Sequence, residues 1–175
     1  YKQILEGWGD FLREAPKDSP GAPHTGPHVI DVARKRIYKK YRRIVKDGNA
    51  ILENTQDELL HRLRIQCKEL RYLLEFFSSL FPPKKTSGLI DQLKKLQDNL
   101  GDFNDFCVQE EYLLKVADEL AVTDLPGKKT LVAIGSLVGT LDRKRQASKG
   151  KFSKIFQAFA SSENSATFRE LFSEK

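Results

Sequence analysis

Four side chains that can carry positive charge recur between residues 61 and 71 at spacings of three, four and three. They are His61, Arg64, Lys68 and Arg71. A helix repeats one face at these intervals, so we expect the four to stand in one row, the 61–71 row, opposite an apolar stripe. Tyr72 is the aromatic residue beside this row. Taken alone, the row is either a solvated helix surface or a binding surface for an anion with closely spaced charges.

A second cationic segment favours the anion-binding interpretation. Residues 34–46 carry eight cations and no acid. Four pairs of like charges stand four residues apart, and at about 0.2–0.5 kcal/mol each they add roughly 1–2 kcal/mol of repulsion that Glu would relieve. The polar face of this segment, the 35–46 row, consists of Lys35, Lys39, Arg42 and Lys46. If the two helices pack side by side, the two rows can share one surface.

The charge pattern indicates which kind of anion would bind. Cations about 5–6 Å apart along a helix suit a polyanion, because Arg contacts phosphate oxygens bidentately and Lys supplies point charges. The formal net charge is +6, yet residues 98–119 hold seven acids and one lysine, so the charge is polarised. Single-stranded nucleic acid would need exposed aromatic platforms, and most aromatic residues here fall on apolar faces. The pattern therefore favours phosphate charge over bases.

An enzymatic alternative is a metal-dependent phosphohydrolase that uses His61, Glu75 and Asp105. A zinc or iron site needs three or four converging ligands. His24 and His28 are four residues apart, but Gly26 and Pro27 lie between them, so the two cannot be assumed to form a pair on one helix face. The sequence also contains no recognisable nucleophile–base pair and no Gly-rich phosphate loop. We therefore expect no catalytic residue, no metal and no cofactor, and we expect His61 to hydrogen-bond phosphate or to orient a neighbour.

The segment LQDNLGDFND (96–105) places five polar or small residues on one side of a helix: Gln97, Asp98, Gly101, Asn104 and Asp105. In one interpretation, Asp98 and Asp105 are paired catalytic carboxylates and the other three residues are their neighbours. They could instead support the 61–71 row by bonding to Arg64, Arg71 or Tyr72, with Gly101 allowing close approach of the helices. We favour the supporting role, with Asn104 and Asp105 as its main members.

A third cationic cluster lies in DRKRQASKGKFSK (142–154). It is either a solvated helix end or an extension of the anion-binding surface. For Arg143 and Arg145 we favour the extension.

Helical periodicity runs through the chain and strand alternation does not, which predicts an all-α, antiparallel bundle of long helices. The predicted helices cover about 2–14, 28–47, 56–80, 88–121 and 129–160, followed by a short docking turn at 167–172. Residues 15–27 read as a linker. We expect DGN (47–49) to end the second helix, Ser87 to cap the fourth, and Gly150 to bend the fifth. The small residues of GSLVG (135–139) predict a close helix contact.

Cysteine usage and hydropathy bear on the cellular compartment. Cys67 and Cys107 show no pairing motif and lie in apolar surroundings, which predicts two reduced thiols. No apolar run approaches the roughly 18 residues of a membrane span, and no secretory signal is visible. We therefore expect a cytoplasmic protein without a membrane partner.

Two of these segments together resemble the signature of the CHAD family, the conserved histidine α-helical domains. LHRLRIQCKELRYLLEFF (60–77) matches the form His-x-x-Arg-x-x-x-Lys-x-x-Arg-Tyr. LKKLQDNLGDFNDFCV (93–108) matches Leu-Gln-Asp-x-Leu-Gly-x-x-Asn-Asp about thirty residues later. The resemblance covers roughly residues 28–172.

The resemblance implies a function. CHAD domains are all-helical, with two related halves around a pseudo-twofold axis, and they resemble binding modules for inorganic polyphosphate, which phosphate or sulfate can mimic. Many lie beside a CYTH triphosphate-tunnel domain, and some associate with polyphosphate granules. By resemblance, both basic rows carry over as polyphosphate contacts, and Lys94 matches a recurrent lysine of the following helix. A generic binder of nucleic acid or of an acidic partner remains an alternative.

The sequence departs from the family pattern in one respect. A complete domain has two signature helices with histidine, and this chain shows one. We therefore interpret residues 1–27 as the helix and linker at the end of a preceding half, and residues 28–175 as one CHAD-like four-helix bundle. The missing half, or self-association, would complete the basic channel.

Overall fold

Five α-helices form the computed structural model, which describes residues 28–53, 56–121 and 127–173. They are α1 (Val29–Glu53), α2 (Asp57–Phe76), α3 (Pro83–Ala121), α4 (Lys128–Phe159) and α5 (Ser162–Phe172), with one 3-10 turn at Ser78–Leu80. No strand occurs within these ranges, so the all-α prediction is confirmed. The predicted helix at 2–14 and the linker at 15–27 lie outside the described residues.

The helices pack in the order in which they follow one another, and α5 returns to the start. α2 contacts α1 on one side and α3 on the other, α4 runs along α3, and α5 packs on α1. The predicted apolar stripe of α2 is buried through Leu63, Cys67, Leu70 and Leu74. Phenylalanines of α4 and α5 complete the same core. The structure is thus an antiparallel bundle whose short connections place neighbours side by side.

The far ends of α3 and α4 contribute little to this core. The buried residues of α3 end at Phe103, and those of α4 begin at Ser148. Residues 104–121 and 128–147 therefore form a two-helix arm whose side chains are half-buried or exposed. Most of the acidic residues predicted to polarise the chain lie on this arm.

The predicted end of α1 at residues 47–49 is wrong, because α1 continues to Glu53. Asp47 accepts a hydrogen bond from Gln66 of α2, at 2.8 Å, and Ile51 is buried. Gly48 lies against the ring of Phe156, where a Cβ would come within 2.0 Å of Cε2. Tertiary contacts on both sides of this glycine therefore outweigh its low helix propensity.

Several other predicted boundaries and glycine roles also change. α3 begins at Pro83, whose missing N–H costs nothing at a helix start, and Ser87 donates to the carbonyl of Lys84 instead of capping. α4 is one continuous helix through Gly150. The predicted close contacts at Gly101 and in 135–139 are wrong: a Cβ at Gly101 or Gly135 would meet no atom within 4 Å, and one at 139 only an arginine tip at 3.9 Å.

Tyr41 attaches α5 to α1. Its hydroxyl lies 2.7 Å from Ser165 Oγ, and its ring stacks on Phe168 with centroids 3.8 Å apart. Burial raises the pKa of the Tyr41 hydroxyl. The segment predicted as a short docking turn is an eleven-residue helix, and Ser161 caps it by accepting a hydrogen bond from the Asn164 amide.

Both cysteines are free thiols, as predicted. Burial raises the pKa of the Cys67 thiol to about 12, so this thiol stays protonated and unreactive at neutral pH. Cys107 is half-buried, and burial also raises its pKa.

We expect Gly48→Ala to destabilise the protein by about 1–3 kcal/mol, because the added methyl overlaps Phe156. Gly88→Ala is the matched control: a Cβ there meets nothing within 4 Å. Removing that helical glycine should stabilise the protein by about 0.5–1 kcal/mol. Denaturant unfolding of both variants measures the two effects, and equal shifts of the same sign would contradict the proposed contact.

Candidate functional site

The 61–71 row faces α3 and not α1. His61 Nδ1 lies 2.7 Å from Asn104 Oδ1 of α3. The opposite flank of α2 contacts α1, through the Lys40–Glu69 ion pair and the hydrogen bond from Gln66 to Asp47. Since α2 lies between the two helices, its basic row can only line the groove that it forms with α3.

The facing residues of α3 repeat the spacing of the row. Reading α3 backwards from Asn104, steps of three, four and three reach Gly101, Gln97 and Lys94. α2 and α3 are antiparallel, so these steps run in register with His61, Arg64, Lys68 and Arg71. From this spacing we infer that Lys94 lies at the far end of the groove, and a Cβ at Gly101, midway along it, would meet no atom within 4 Å.

A chain of hydrogen bonds holds the near end of the groove. Asn104 Nδ2 donates to Asp105 Oδ1 at 3.4 Å, which leaves Asn104 Oδ1 as the acceptor facing His61. The His61 Nδ1 must then carry the proton, and Nε2 remains for another partner. Asn104 thus bonds to His61, and Asp105 bonds to Asn104, whereas the predicted bonds were to Arg64, Arg71 or Tyr72. The supporting role of Asn104 and Asp105 in anion binding stays a prediction.

Arg71 is positioned within α2 itself. Its Nε lies 3.5 Å from Glu75 Oε1 without making a hydrogen bond, and its guanidinium sits 5.5 Å above the centre of the Tyr72 ring. Tyr72 therefore supports the arginine by a cation–π contact. Arg71 Nε is buried, and so are both polar side-chain atoms of Gln97, with no hydrogen-bond partner in the described part of the chain.

Three cations of this groove have no acidic partner among the described residues: Arg64, Lys68 and Lys94. Arg64 and Lys68 are half-buried, and Lys94 is exposed. Charged side chains in partly buried positions are normally paired, because pairing offsets their desolvation. The groove therefore holds positive charge that the described residues do not neutralise.

The 35–46 row lies elsewhere. Its four members are exposed and line a groove of about 790 Å³ with Tyr38 and with Phe172 and Ser173 at the end of α5. No member of the 61–71 row lines this groove, and that the two rows share one binding surface stays a prediction. α1 and α2 do pack side by side, but the packing turns the 61–71 row away from α1.

The charge of Arg145 is neutralised by neighbouring carboxylates, unlike the charges of Arg64, Lys68 and Lys94. Its guanidinium lies 2.7 Å from Asp57, 3.1 Å from Glu110 and 2.7 Å from Asp142. Lys149 adds a contact of 2.8 Å to Asp57. These ion pairs tie the start of α2 to α3 and α4. Arg145 therefore holds the arm against the bundle.

Arg143 stands apart from both rows. It is exposed and donates to Thr140 at 3.0 Å. Arg145 lines a different groove, with Cys107 and Glu110, from the one lined by the 35–46 row. That Arg143 and Arg145 extend the anion-binding surface stays a prediction.

Phe76 was missed in the sequence. It is 80% exposed at the end of α2, beside the half-buried Phe77. The sequence does contain a signal for this exposure. When α2 is projected at about 100° per residue, Phe76 falls outside the apolar stripe, although it stands in the largely apolar run LLEFF.

Within residues 28–53, 56–121 and 127–173, no three His, Cys, Asp or Glu side chains converge in a way that could hold a metal ion. The position of His24 lies outside these ranges. Likewise, none of the described helices combines the length and apolar character that crossing a membrane requires.

We expect Arg145→Ala to destabilise the fold by roughly 1–2 kcal/mol, because it leaves three half-buried carboxylates, Asp57, Glu110 and Asp142, without this cation. The hydrogen bond from Arg145 holds the pKa of Asp142 below its usual range. The stability that this bond contributes is fully present above the unfolded-state pKa of Asp, and it is lost as the pH falls through the lowered folded-state pKa of Asp142. The destabilisation should therefore shrink in acid. Arg143→Ala, measured in the same pH series of thermal melts, should change stability by less than about 0.5 kcal/mol at every pH; equal losses would contradict the anchoring role.

The chain is similar to known proteins. The family model of the CHAD domain matches residues 1–114, which include both signature segments. The match begins before residue 28, where the predicted resemblance began. Two proteins of Mycobacterium tuberculosis, from strains CDC 1551 and H37Rv, are each 26% identical over 117 residues and are both named as uncharacterized. The match covers 67% of this chain and 21% of each relative, so the chain spans about a fifth of their length. The chain belongs to the CHAD domain family.

Proposed function

We propose that this chain binds inorganic polyphosphate without catalysing its conversion, and that the groove between α2 and α3 is the principal contact surface. The observation that carries the proposal is the set of cations without acidic partners, Arg64, Lys68 and Lys94, beside the positioned Arg71 and His61. Membership of the CHAD family supports the same ligand.

The ligand follows from charge spacing. A helical row repeats about every 5–6 Å, so a linear anion with charge on every unit can meet each turn without leaving the groove. Arg64 and Arg71 would contact phosphate oxygens bidentately, and the lysines would act as point charges. Binding would release counterions from the polyanion, so affinity should fall steeply with salt. Free phosphate or sulfate would occupy the same positions as a mimic.

His61 has a supporting role in this proposal. Its Nδ1–H is held by Asn104, so Nε2 is the atom available to phosphate, as a donor when the ring is protonated. Asp105 acts through Asn104 and makes no ligand contact. The 35–46 row would bind a second stretch of a long polyphosphate chain.

The hydrolase alternative uses His61, Glu75 and Asp105 around a metal. Glu75 lies beside Arg71, and Asp105 accepts from Asn104, so both carboxylates already have partners in the groove. We favour binding over hydrolysis on this basis. Phosphate released from polyphosphate and Mg²⁺ above the level of a heat-inactivated control would instead establish the hydrolase.

The biological setting belongs to the same proposal. The family resemblance implies a CYTH-type triphosphatase as a neighbour and association with polyphosphate granules. It also implies that a missing N-terminal half, or self-association, completes the channel. A generic nucleic-acid or acidic-protein binder is the other alternative. RNA that displaced long-chain polyphosphate at equal charge concentration would favour it over phosphate selectivity.

Combined substitution Lys68→Ala and Arg71→Ala should weaken polyphosphate binding at least about tenfold, because it removes two charge-assisted contacts. Isothermal titration at fixed salt measures the change, and circular dichroism checks that helicity is kept. Lys151→Ala with Lys154→Ala removes the same formal charge from exposed positions on α4. If both double variants lost affinity equally, net charge and not the groove would account for binding.

Gly101→Leu tests the groove by filling it. A side chain at this position meets no protein atom at its Cβ, so the fold should be unharmed, and the loss of a helical glycine should even stabilise α3. The leucine would occupy the space opposite Arg64, and polyphosphate affinity should drop roughly fivefold or more. Gly135→Leu, on the arm, is the control that should bind normally; unchanged binding by Gly101→Leu would place the ligand elsewhere.

A further inference from the structure

A second groove runs between α1 and α2, on the flank of α2 that faces away from α3. Its volume is about 720 Å³, within the range of small-molecule sites. α1 contributes Arg36, Lys39 and Arg43 to its wall, and α2 contributes Tyr72, Leu73 and Phe76. One wall is thus cationic, and the other is aromatic and apolar apart from Glu69, whose carboxylate pairs with Lys40.

The cationic wall keeps much of its charge. Arg36 and Lys39 have no ion pair within the described ranges, and Arg43 has only an exposed contact to Asp47 at 3.7 Å. Lys40 is paired with Glu69 across the groove. Positions 36 to 43 span seven residues, or about 10 Å of helix, which is long enough to meet more than one phosphate.

The aromatic wall offers two rings to solvent. Phe76 is 80% exposed, and its ring is held at 89° to Phe77 with centroids 4.8 Å apart. Tyr72 is 55% exposed, with the Arg71 guanidinium 5.5 Å from its centre. A large exposed ring is unfavourable in a surface selected for solubility alone, whereas beside cations it can serve as a stacking platform.

We propose that this groove binds a nucleotide, with the base stacked on Phe76 and Tyr72 and the phosphates on Arg36, Lys39 and Arg43. An inorganic phosphate chain has no group that would use the aromatic wall, and an apolar ligand would leave the cations unsatisfied. A base joined to phosphates satisfies both walls at once. This site lies across α2 from the α2–α3 groove assigned to polyphosphate and shares only Lys39 with the 35–46 row, so the inference goes beyond that function.

The test compares ATP with inorganic triphosphate on the full chain by isothermal titration at one salt concentration. ATP should bind at least about fivefold more tightly, although it carries no more phosphate charge, because its base adds stacking. Phe76→Ala should remove that preference and leave triphosphate binding unchanged. Phe76→Trp should restore the preference, and Arg36→Gln should weaken the binding of ATP. Equal affinity of the native chain for ATP and triphosphate would overturn the proposal.

Tyr112→Ala is the matched control. Tyr112 is also an exposed aromatic, at 65%, but it lies on the arm and outside this groove. It should keep the preference for ATP; if it loses the preference as Phe76→Ala does, the groove is not the site. Short oligoadenylate, tested beside ATP, distinguishes a free nucleotide from a nucleotide within a single strand by which of the two binds more tightly.

The outcome is separable from the polyphosphate proposal. Phe76→Ala should leave long-chain polyphosphate affinity unchanged, since this side chain lies outside the α2–α3 groove. The combined substitution of Lys68 and Arg71 should in turn be judged on polyphosphate alone, because Arg71 also contacts Tyr72.

Discussion

The rotation of α2 about its own axis decides where the candidate ligand contacts of this helix lie. Four side chains of this helix, Leu63, Cys67, Leu70 and Leu74, are completely buried, and together they leave α2 one orientation between α1 and α3. A turn of one residue would expose several of them, at about 1.5–3 kcal/mol for each large side chain. With that orientation set, the 61–71 row can only face α3, and Phe76 can only face the groove with α1.

Charge in this bundle is neutralised selectively. Lys40 meets Glu69 between α1 and α2, and Arg145 meets three carboxylates where the arm joins the bundle. These pairs hold helices together. The groove cations Arg64 and Lys68 have no such partner in the part of the chain described, although acidic residues are plentiful on α3. Among the described residues, acidic ones thus pair with cations where the arm joins the bundle but not beside Arg64 and Lys68. A surface that binds an external anion needs such unpaired cations.

The two kinds of glycine in the chain show where sequence reasoning reaches its limit. Gly48 was interpreted as a helix stop, yet it lies inside α1 because Phe156, more than a hundred residues away, packs on it. Gly101 was interpreted as a contact point, yet its surroundings are open. A glycine permits both outcomes equally well, because it has no side chain to record which neighbour it meets. Only the position of the opposing helix decides between them.

The all-α class, the apolar stripes and the two basic rows can be predicted from the sequence, because they depend on periodicity and on residue type. The family could be recognised from the resemblance of residues 60–77 and 93–108 to its signature. The sequence also placed Asn104 and Asp105 beside the 61–71 row. Only the packing of the helices shows that His61 faces α3, that Arg145 is neutralised by Asp57, Glu110 and Asp142, and that Phe76 is exposed to solvent. These facts depend on which flank of each helix meets which neighbour. Helical periodicity leaves that open, since it specifies a face on each helix but not the partner that covers its flanks.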